Sequence, residues 1–162
     1  MEIKGLHHHA VRCRDSGETR KFYEDFLGLP LVGALEINET KSGRETRTLH
    51  TFYQMADGSH LAFFEAPDMP FEFKEQHDFD LHTALEVDEK TMHAMMKKGK
   101  QAGIETRGVS DHGFIHSIYF SDPNGYVVEL SCKQPGHDEA MNPQTNHARA
   151  IVDRWQSAKQ QA

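Results

Sequence analysis

The chain is written twice. The phrase "LHHHAVRCRD" near its start returns as "DLHTALEVDE", and the segments that follow each phrase come in the same order. In the first copy, alternation of period two puts His8, Ala10 and Arg12 on one side of a strand and His9, Val11 and Cys13 on the other. Asp15 and Ser16 can cap a helix carrying Phe22, Tyr23, Phe26 and Leu27, and Gly28 suits a left-handed stop. Strands over 31–35, 48–55 and 61–66 follow, with the polar stretch 36–47 as a loop or hairpin. From Asp80 the order recurs: a strand over 81–87, a helix over 90–102 stopped by Gly103, strands over 104–109 and 115–121, the turn "DPNG", and a strand over 126–132. His82 lies 74 residues beyond His8 and Gly103 lies 75 beyond Gly28, the nearly constant offset of an internal repeat. The chain therefore reads as two βαβββ modules in the α+β class, over about 4–68 and 78–133 within a domain spanning 1–134. Residues 135–162 form a turn-rich segment and a helix whose Ala148, Ile151, Val152 and Trp155 share a stripe, to be packed on the body or on a second subunit.

A length of 162 residues suits one domain built from two halves that share a core. The formal net charge of −7, with 18 Lys and Arg scattered along the chain, supplies no basic field to hold phosphates and excludes nucleic acid as a partner. No apolar run reaches signal-peptide or membrane-spanning length, so a cytoplasmic location and no membrane partner are expected. Cys13 and Cys132 form no CxxC and read as small buried packing groups.

Alignment of the copies selects one histidine of the triplet. In the second copy Leu85 and Val87 pack one way while His82, Ala84 and Glu86 face the other. Matching Val11 and Cys13 to Leu85 and Val87 makes His8 the counterpart of His82, with His7 and His9 on the opposite side. Each half also closes on a strand with a lone acid, Glu65 in "LAFFEAP" and Glu129 in "YVVELS". A carboxylate in such a run is costly to bury unpaired, and a cation is one form of compensation. If His8, Glu65, His82 and Glu129 converge, their donors suit iron(II), manganese, nickel or zinc rather than calcium. Two imidazoles and one carboxylate with open positions would be the facial set of non-haem iron oxygenases. Glu65 has alternative uses as a base, a salt-bridge partner or a hydrogen-bond acceptor behind the ligands.

The paired modules, with "HHAVRCRD", "FFEAP", "HTALEVD" and "SIYFSDPNGYVVEL", resemble the vicinal oxygen chelate superfamily of glyoxalases, bleomycin-resistance proteins and extradiol dioxygenases. The resemblance covers about residues 6 to 132. It implies a half-open, eight-stranded mixed β cup around a divalent metal, a small-molecule substrate and a homodimer, sometimes with ligands supplied by both partners. Carried over by position, the metal ligands fall on His8, Glu65, His82 and Glu129. Ten residues before the last carboxylate, where ring-cleaving dioxygenases resemble one another in a tyrosine and bacterial glyoxalases tend to phenylalanine, this chain has Tyr119. A tyrosine hydroxyl can hydrogen-bond a catecholate oxygen. The catalytic histidine that precedes that tyrosine in the dioxygenases has two candidates, His112 and His116. The resemblance thus implies an iron(II) extradiol-type dioxygenase acting on a catechol-like compound, with Tyr119, Glu65 and His116 as catalytic groups. Glu65, a ligand and base in glyoxalases, points instead to a nickel or zinc isomerase or lyase working without oxygen, in which Glu65 or Glu129 shuttles a proton. A third possibility is a resistance-type protein that binds a small molecule and performs no chemistry.

Overall fold

Strand β1 (His8–Arg12) leads into a helix opened by Asp15, whose side chain accepts from Glu18 N at 2.8 Å. Helix α1 (Ser16–Arg20) runs on as a π-helical stretch over Lys21–Phe26 and stops where Gly28 takes φ +84°. Strands β2 (Leu31–Glu39), β3 (Glu45–Gln54) and β4 (His60–Glu65) complete the first module. The second repeats the order as β5 (His82–Glu86), α2 (Glu89–Gln101), β6 (Thr106–Asp111), β7 (Ile115–Ser121) and β8 (Val127–Lys133). The short α3 (His137–Ala140) and α4 (Ala148–Lys159) follow. This computed structural model describes residues 2–159.

The strands form two four-stranded sheets, ordered β1-β4-β3-β2 and β5-β8-β7-β6, so the α+β class and the doubled βαβββ order stand as read from the sequence. In the first sheet β1 runs parallel to β4 and the other pairs are antiparallel. The polar stretch 36–47 is largely strand, because β2 and β3 extend to Glu39 and Glu45 before turning at Thr40–Gly43. The sheet order leaves β2 on the edge, where one flank and outward-facing charges meet solvent.

Two compact units emerge from the contacts: residues up to Thr83 with Phe120–Val128, and Ala84–Tyr119 with the chain from Glu129 onward. In the first unit the π-helical stretch brings an aromatic cluster onto the sheet. Tyr23 lies 4.5 Å from Phe63 and 5.7 Å from Tyr53, and Phe26 meets Phe120 edge-on at 5.2 Å. The "DPNG" turn is bound into the same core. Asp122 accepts from Asn124 N, Tyr126 N and Asn124 Nδ2 at 2.8 Å each and from the Tyr23 hydroxyl at 3.0 Å, while Arg14 N donates to Asn124 Oδ1 at 2.8 Å. Desolvation still outweighs these donors and raises the Asp122 pKa above the usual carboxylate value.

In the second unit, Asp88 caps α2 by accepting from Thr91 N at 2.6 Å, and Met92 is fully buried. Helix α4 starts later than the expected 144, at Ala148, whose N–H donates to Asn146 Oδ1. The far end of the expected helix, at 160–161, lies outside the described residues. No described residue of α4 is buried, and Ile151, Val152 and Trp155 are exposed, so the stripe is not packed on the body. Cys13 and Cys132 are buried and unbridged. Among the described residues no helix is long and apolar enough to cross a membrane.

Two glycines with similar backbone angles separate strain from crowding. Gly58 has φ +84° with nothing within 4 Å of an added Cβ, whereas at Gly125, φ +92°, the Cβ would lie 2.5 Å from the Lys74 carbonyl oxygen. Gly58→Ala is expected to cost about 1 kcal/mol and Gly125→Ala about 3 kcal/mol or more of unfolding free energy in urea titrations.

Candidate functional site

The parallel pairing of β1 with β4 sets His8 opposite His60, Ala10 opposite Ala62 and Arg12 opposite Phe64. Antiparallel β3 then sets His50 opposite Phe64 and Phe52 opposite Ala62. Because strand side chains alternate, one face of the first sheet carries His8, Arg12, His50, Phe52, His60 and Phe64. His50 stacks on Phe64 with centroids 3.6 Å apart and planes 6° from parallel, and Phe52 lies 4.2 Å from His50 and 5.8 Å from His8. Burial pushes the His50 pKa down, against a backbone hydrogen bond to Phe63 O that raises it. The histidine triplet splits by this alternation. His9 occupies the opposite face, 3.4 Å from Thr83 Oγ1, while His7 precedes the strand with its Nδ1 2.7 Å from His8 Nδ1.

Glu65 is not on the His8 face. Its partner across the sheet is Leu49, and its Oε2 accepts from Ser16 N at 2.7 Å and from the Ser16 hydroxyl at the start of α1. A carboxylate there satisfies an otherwise unbonded helix N–H and meets the positive end of the helix dipole. Hydrogen bonds after each first strand confirm the offset: Cys13 N donates to Phe64 O, and Val87 N donates to Ser131 O. In the repeat, Ala62 is therefore the counterpart of Glu129, and Glu65 is the counterpart of Cys132. The expectation that Glu65 joins His8 as ligand or base is corrected by one step of strand phase. Leu61, Ala62 and Phe63 are all buried, so β4 shows none of the polar alternation that would have revealed its phase.

In the second unit Glu129 is buried, and its Oε1 accepts from the Ser117 hydroxyl at 2.5 Å and the Ser131 hydroxyl at 2.7 Å. Hydrogen bonds at the two ends of the β7–β8 pair, Asp122 N to Tyr126 O and Gln134 N to Phe114 O, set Ser117 opposite Ser131 and Tyr119 opposite Glu129. Tyr119 thus belongs to the Glu129 face. Its hydroxyl lies 2.9 Å from His112 Nε2, and the Arg107 guanidinium sits 5.1 Å from its ring centre. His116 alternates to the other face, with Nε2 3.6 Å from Asp111 Oδ1, which corrects its expected place beside the tyrosine. His112 takes that place because the turn at Gly113, φ +83°, folds the β6 end back over β7, with His112 N donating to Ile115 O.

His82 is exposed on β5. Its Nδ1 is 2.6 Å from Asp78 O, and since a carbonyl only accepts, Nδ1 carries the proton and the imidazole lone pair is directed to Nε2. The donor types suit a borderline divalent metal, but the fit within one chain fails. Among the described residues no group of three or more His, Cys, Asp or Glu side chains gathers closely enough to hold an ion.

A family model described as the Glyoxalase/Bleomycin resistance protein/Dioxygenase superfamily matches residues 5–130. Solved structures share the fold at low identity. A glyoxalase/dioxygenase from Nostoc punctiforme is 23% identical with a TM-score of 0.62, covering 81% of this chain and 92% of its own. TnmS3, an antibiotic binding protein from Streptomyces sp. CB03234, is 20% identical with a TM-score of 0.59, covering 83% and 99%. A mutant of the fosfomycin resistance protein FosX from Listeria monocytogenes, complexed with Mn(II) and 1S,2S-dihydroxypropylphosphonic acid, is 18% identical with a TM-score of 0.65, covering 87% and 100%.

The depressed His50 pKa gives stability a definite pH sign. As pH falls through the ordinary histidine value of 6.5, the unfolded chain takes up the proton first, so the contribution of a neutral His50 is present above 6.5 and is lost as pH falls through the lowered folded value. Urea midpoints measured from pH 8 to pH 5 are expected to fall less steeply in His50→Phe than in the wild type.

Proposed function

Because the chain belongs to the glyoxalase/bleomycin resistance protein/dioxygenase superfamily, we propose that it is a divalent-metal dioxygenase that opens catechol-like rings. Iron(II) is the ion we assign, held by His8 of one copy with His82 and Glu129 of a second. The observation that carries this reading is the hydrogen-bonded Tyr119–His112 pair on the Glu129 face. Such a pair gives a substrate hydroxyl both a hydrogen-bond donor and a proton acceptor.

With Glu65 turned to α1, the family's ligand positions retain two imidazoles and one carboxylate, a set that leaves several coordination positions open. When bound, the metal would supply Lewis-acid polarisation of two neighbouring substrate oxygens and a meeting point for dioxygen. The chain's own groups do the rest. Ser117 and Ser131 hold Glu129 by one oxygen, and the Asp78 carbonyl fixes the His82 tautomer. Tyr119 donates to a substrate oxygen, and His112 takes and returns a proton through the phenol. Phe52 and the His50–Phe64 stack present a π surface beside His8 on which an aromatic ring can lie. Among the described residues no three-donor group gathers within one chain, and assembly from two copies would bring the three donors together. For an isomerase or lyase the Glu65 carboxylate is engaged at α1, which leaves Glu129 to serve as both ligand and base. The competing reading is a metal-free binding protein, which needs no such donor group among the described residues.

Anaerobic loading with iron(II) followed by a catechol panel should give substrate-dependent oxygen uptake; uptake on none of the panel would favour the binder. Glu129→Gln should lose the iron while Glu65→Gln retains it, measured as iron per chain, and the reverse would reinstate Glu65 as a ligand. Mixing inactive His8→Ala and Glu129→Gln chains should restore about a quarter of the wild-type sites, because half the random dimers regain one intact site; sites held within one chain would restore nothing. Tyr119→Phe should lower kcat about 100-fold with iron content unchanged.

A further inference from the structure

Strand β6 meets β7 at a point where only glycine fits. Gly108 has φ +106°, and a Cβ added there would stand 2.6 Å from Ser117 O and 3.1 Å from Ile118 Cα. That close approach carries the preceding residue, Arg107, across to β7, where its guanidinium carbon lies 5.1 Å from the centre of the Tyr119 ring. Arg107 Nε is also 3.6 Å from Glu105 Oε1, a pair in which both side chains are exposed and which is therefore weak. Tyr119 itself is buried, with its hydroxyl 2.9 Å from His112 Nε2. The phenol is thus gripped twice, by an imidazole at its oxygen and by a cation on its ring.

The surroundings of the phenol set the sign of the second contact. Glu129 stands opposite Tyr119 in the β7–β8 pair, and a buried carboxylate there resists the negative charge that gathers on the phenol oxygen when the hydroxyl donates. A positive charge over the ring face works the other way, since it draws electron density from the ring and makes the O–H a stronger donor. We propose that Arg107 is a positioning residue acting through Tyr119: it holds the ring in place and strengthens the hydroxyl that donates to a substrate oxygen. The role of that hydroxyl rests on the ring-opening reading. The contact between Arg107 and Tyr119 stands without it. An arginine acting in this way differs from one that binds substrate, because its effect falls on turnover rather than on affinity and disappears once the hydroxyl is gone.

Three measurements on the full-length protein test the assignment. In the metal-free protein the Arg107 side-chain proton signals should lie upfield through the ring current and return to ordinary positions in Tyr119→Leu. With zinc in place of iron, so that no oxygen chemistry runs, bound 4-nitrocatechol reports the charge on its oxygens through its absorption band. Tyr119→Phe and Arg107→Met should both move that band to longer wavelength, the double variant no further than Tyr119→Phe, and Arg107→Lys should restore it. With iron, Arg107→Met should lower kcat about tenfold at unchanged KM and unchanged iron per chain, and Arg107→Lys should recover most of the loss. Added to Tyr119→Phe, Arg107→Met should cost nothing further. A raised KM at unchanged kcat would make Arg107 a substrate contact and overturn the assignment. So would additive losses in the double variant, unshifted Arg107 signals, or a band unmoved by Arg107→Met. A band that answers to both residues, without oxygen uptake on any catechol, would refute ring opening and leave Arg107 its role. Uptake indifferent to Arg107→Met would refute the positioning role alone. Failure of 4-nitrocatechol to bind would refute chelation, and the role of Arg107 with it.

Discussion

The side of the sheet to which each side chain of β1, β3 and β4 points follows from one register, the parallel pairing that sets His8 opposite His60 and continues to Arg12 opposite Phe64. In a strand a shift of one residue exchanges the two faces, so chemistry on this sheet depends on phase more than on composition. The hydrogen bond from Cys13 N to Phe64 O extends that register past the end of β1. The consequence is an unequal pair of modules. The first offers an imidazole beside a wall of rings, and the second offers an imidazole, a carboxylate and a phenol.

Three acids in apolar surroundings are compensated in three different ways. Asp122 accepts four hydrogen bonds, two of them from backbone N–H groups of its own turn, and is fully committed to holding that turn against Tyr23. Glu65 accepts from the Ser16 backbone N–H at the opening of α1, a fixed donor that makes it part of the helix, together with the Ser16 hydroxyl. Glu129 accepts from two serine hydroxyls, which rotate and can therefore follow a change at the carboxylate. Burial alone does not mark an acid as functional; the kind of donor facing it is the sharper criterion.

Much of this was legible in the sequence because the repeat supplied a second copy against which to check the first. The offset between His8 and His82 places these two histidines at the same position of their strands, since the alternation of β1 and β5 is preserved by exposed and half-buried positions. The same reasoning failed on β4, where Leu61, Ala62 and Phe63 are buried and no polar position marks the phase. The lone acid was then matched to Glu129 by type when the register matches Ala62 to it. The choice between His112 and His116 could not be read for another reason: the approach of His112 to Tyr119 depends on how the turn at Gly113 folds back, and strand periodicity carries no information about a turn. The extension of β2 and β3 through a charged stretch was hidden because an edge strand accepts charges that a central strand would reject.

The turn that carries Asp122 and Asn124 has a bearing on how this chain comes off the ribosome. Tyr23 and Asp122 are 99 residues apart, and Arg14 and Asn124 are 110 apart, yet these contacts close the core around the first helix. The unit that begins at the N-terminus is completed by Phe120–Val128, so it remains open at one place through the synthesis of everything between. Such long-range closure slows folding and leaves an apolar surface waiting for its last piece. The nascent first module, with Tyr53 and Phe63 already made and the turn not yet emerged, lacks the Asp122 acceptor for Tyr23 and the Phe120 ring for Phe26.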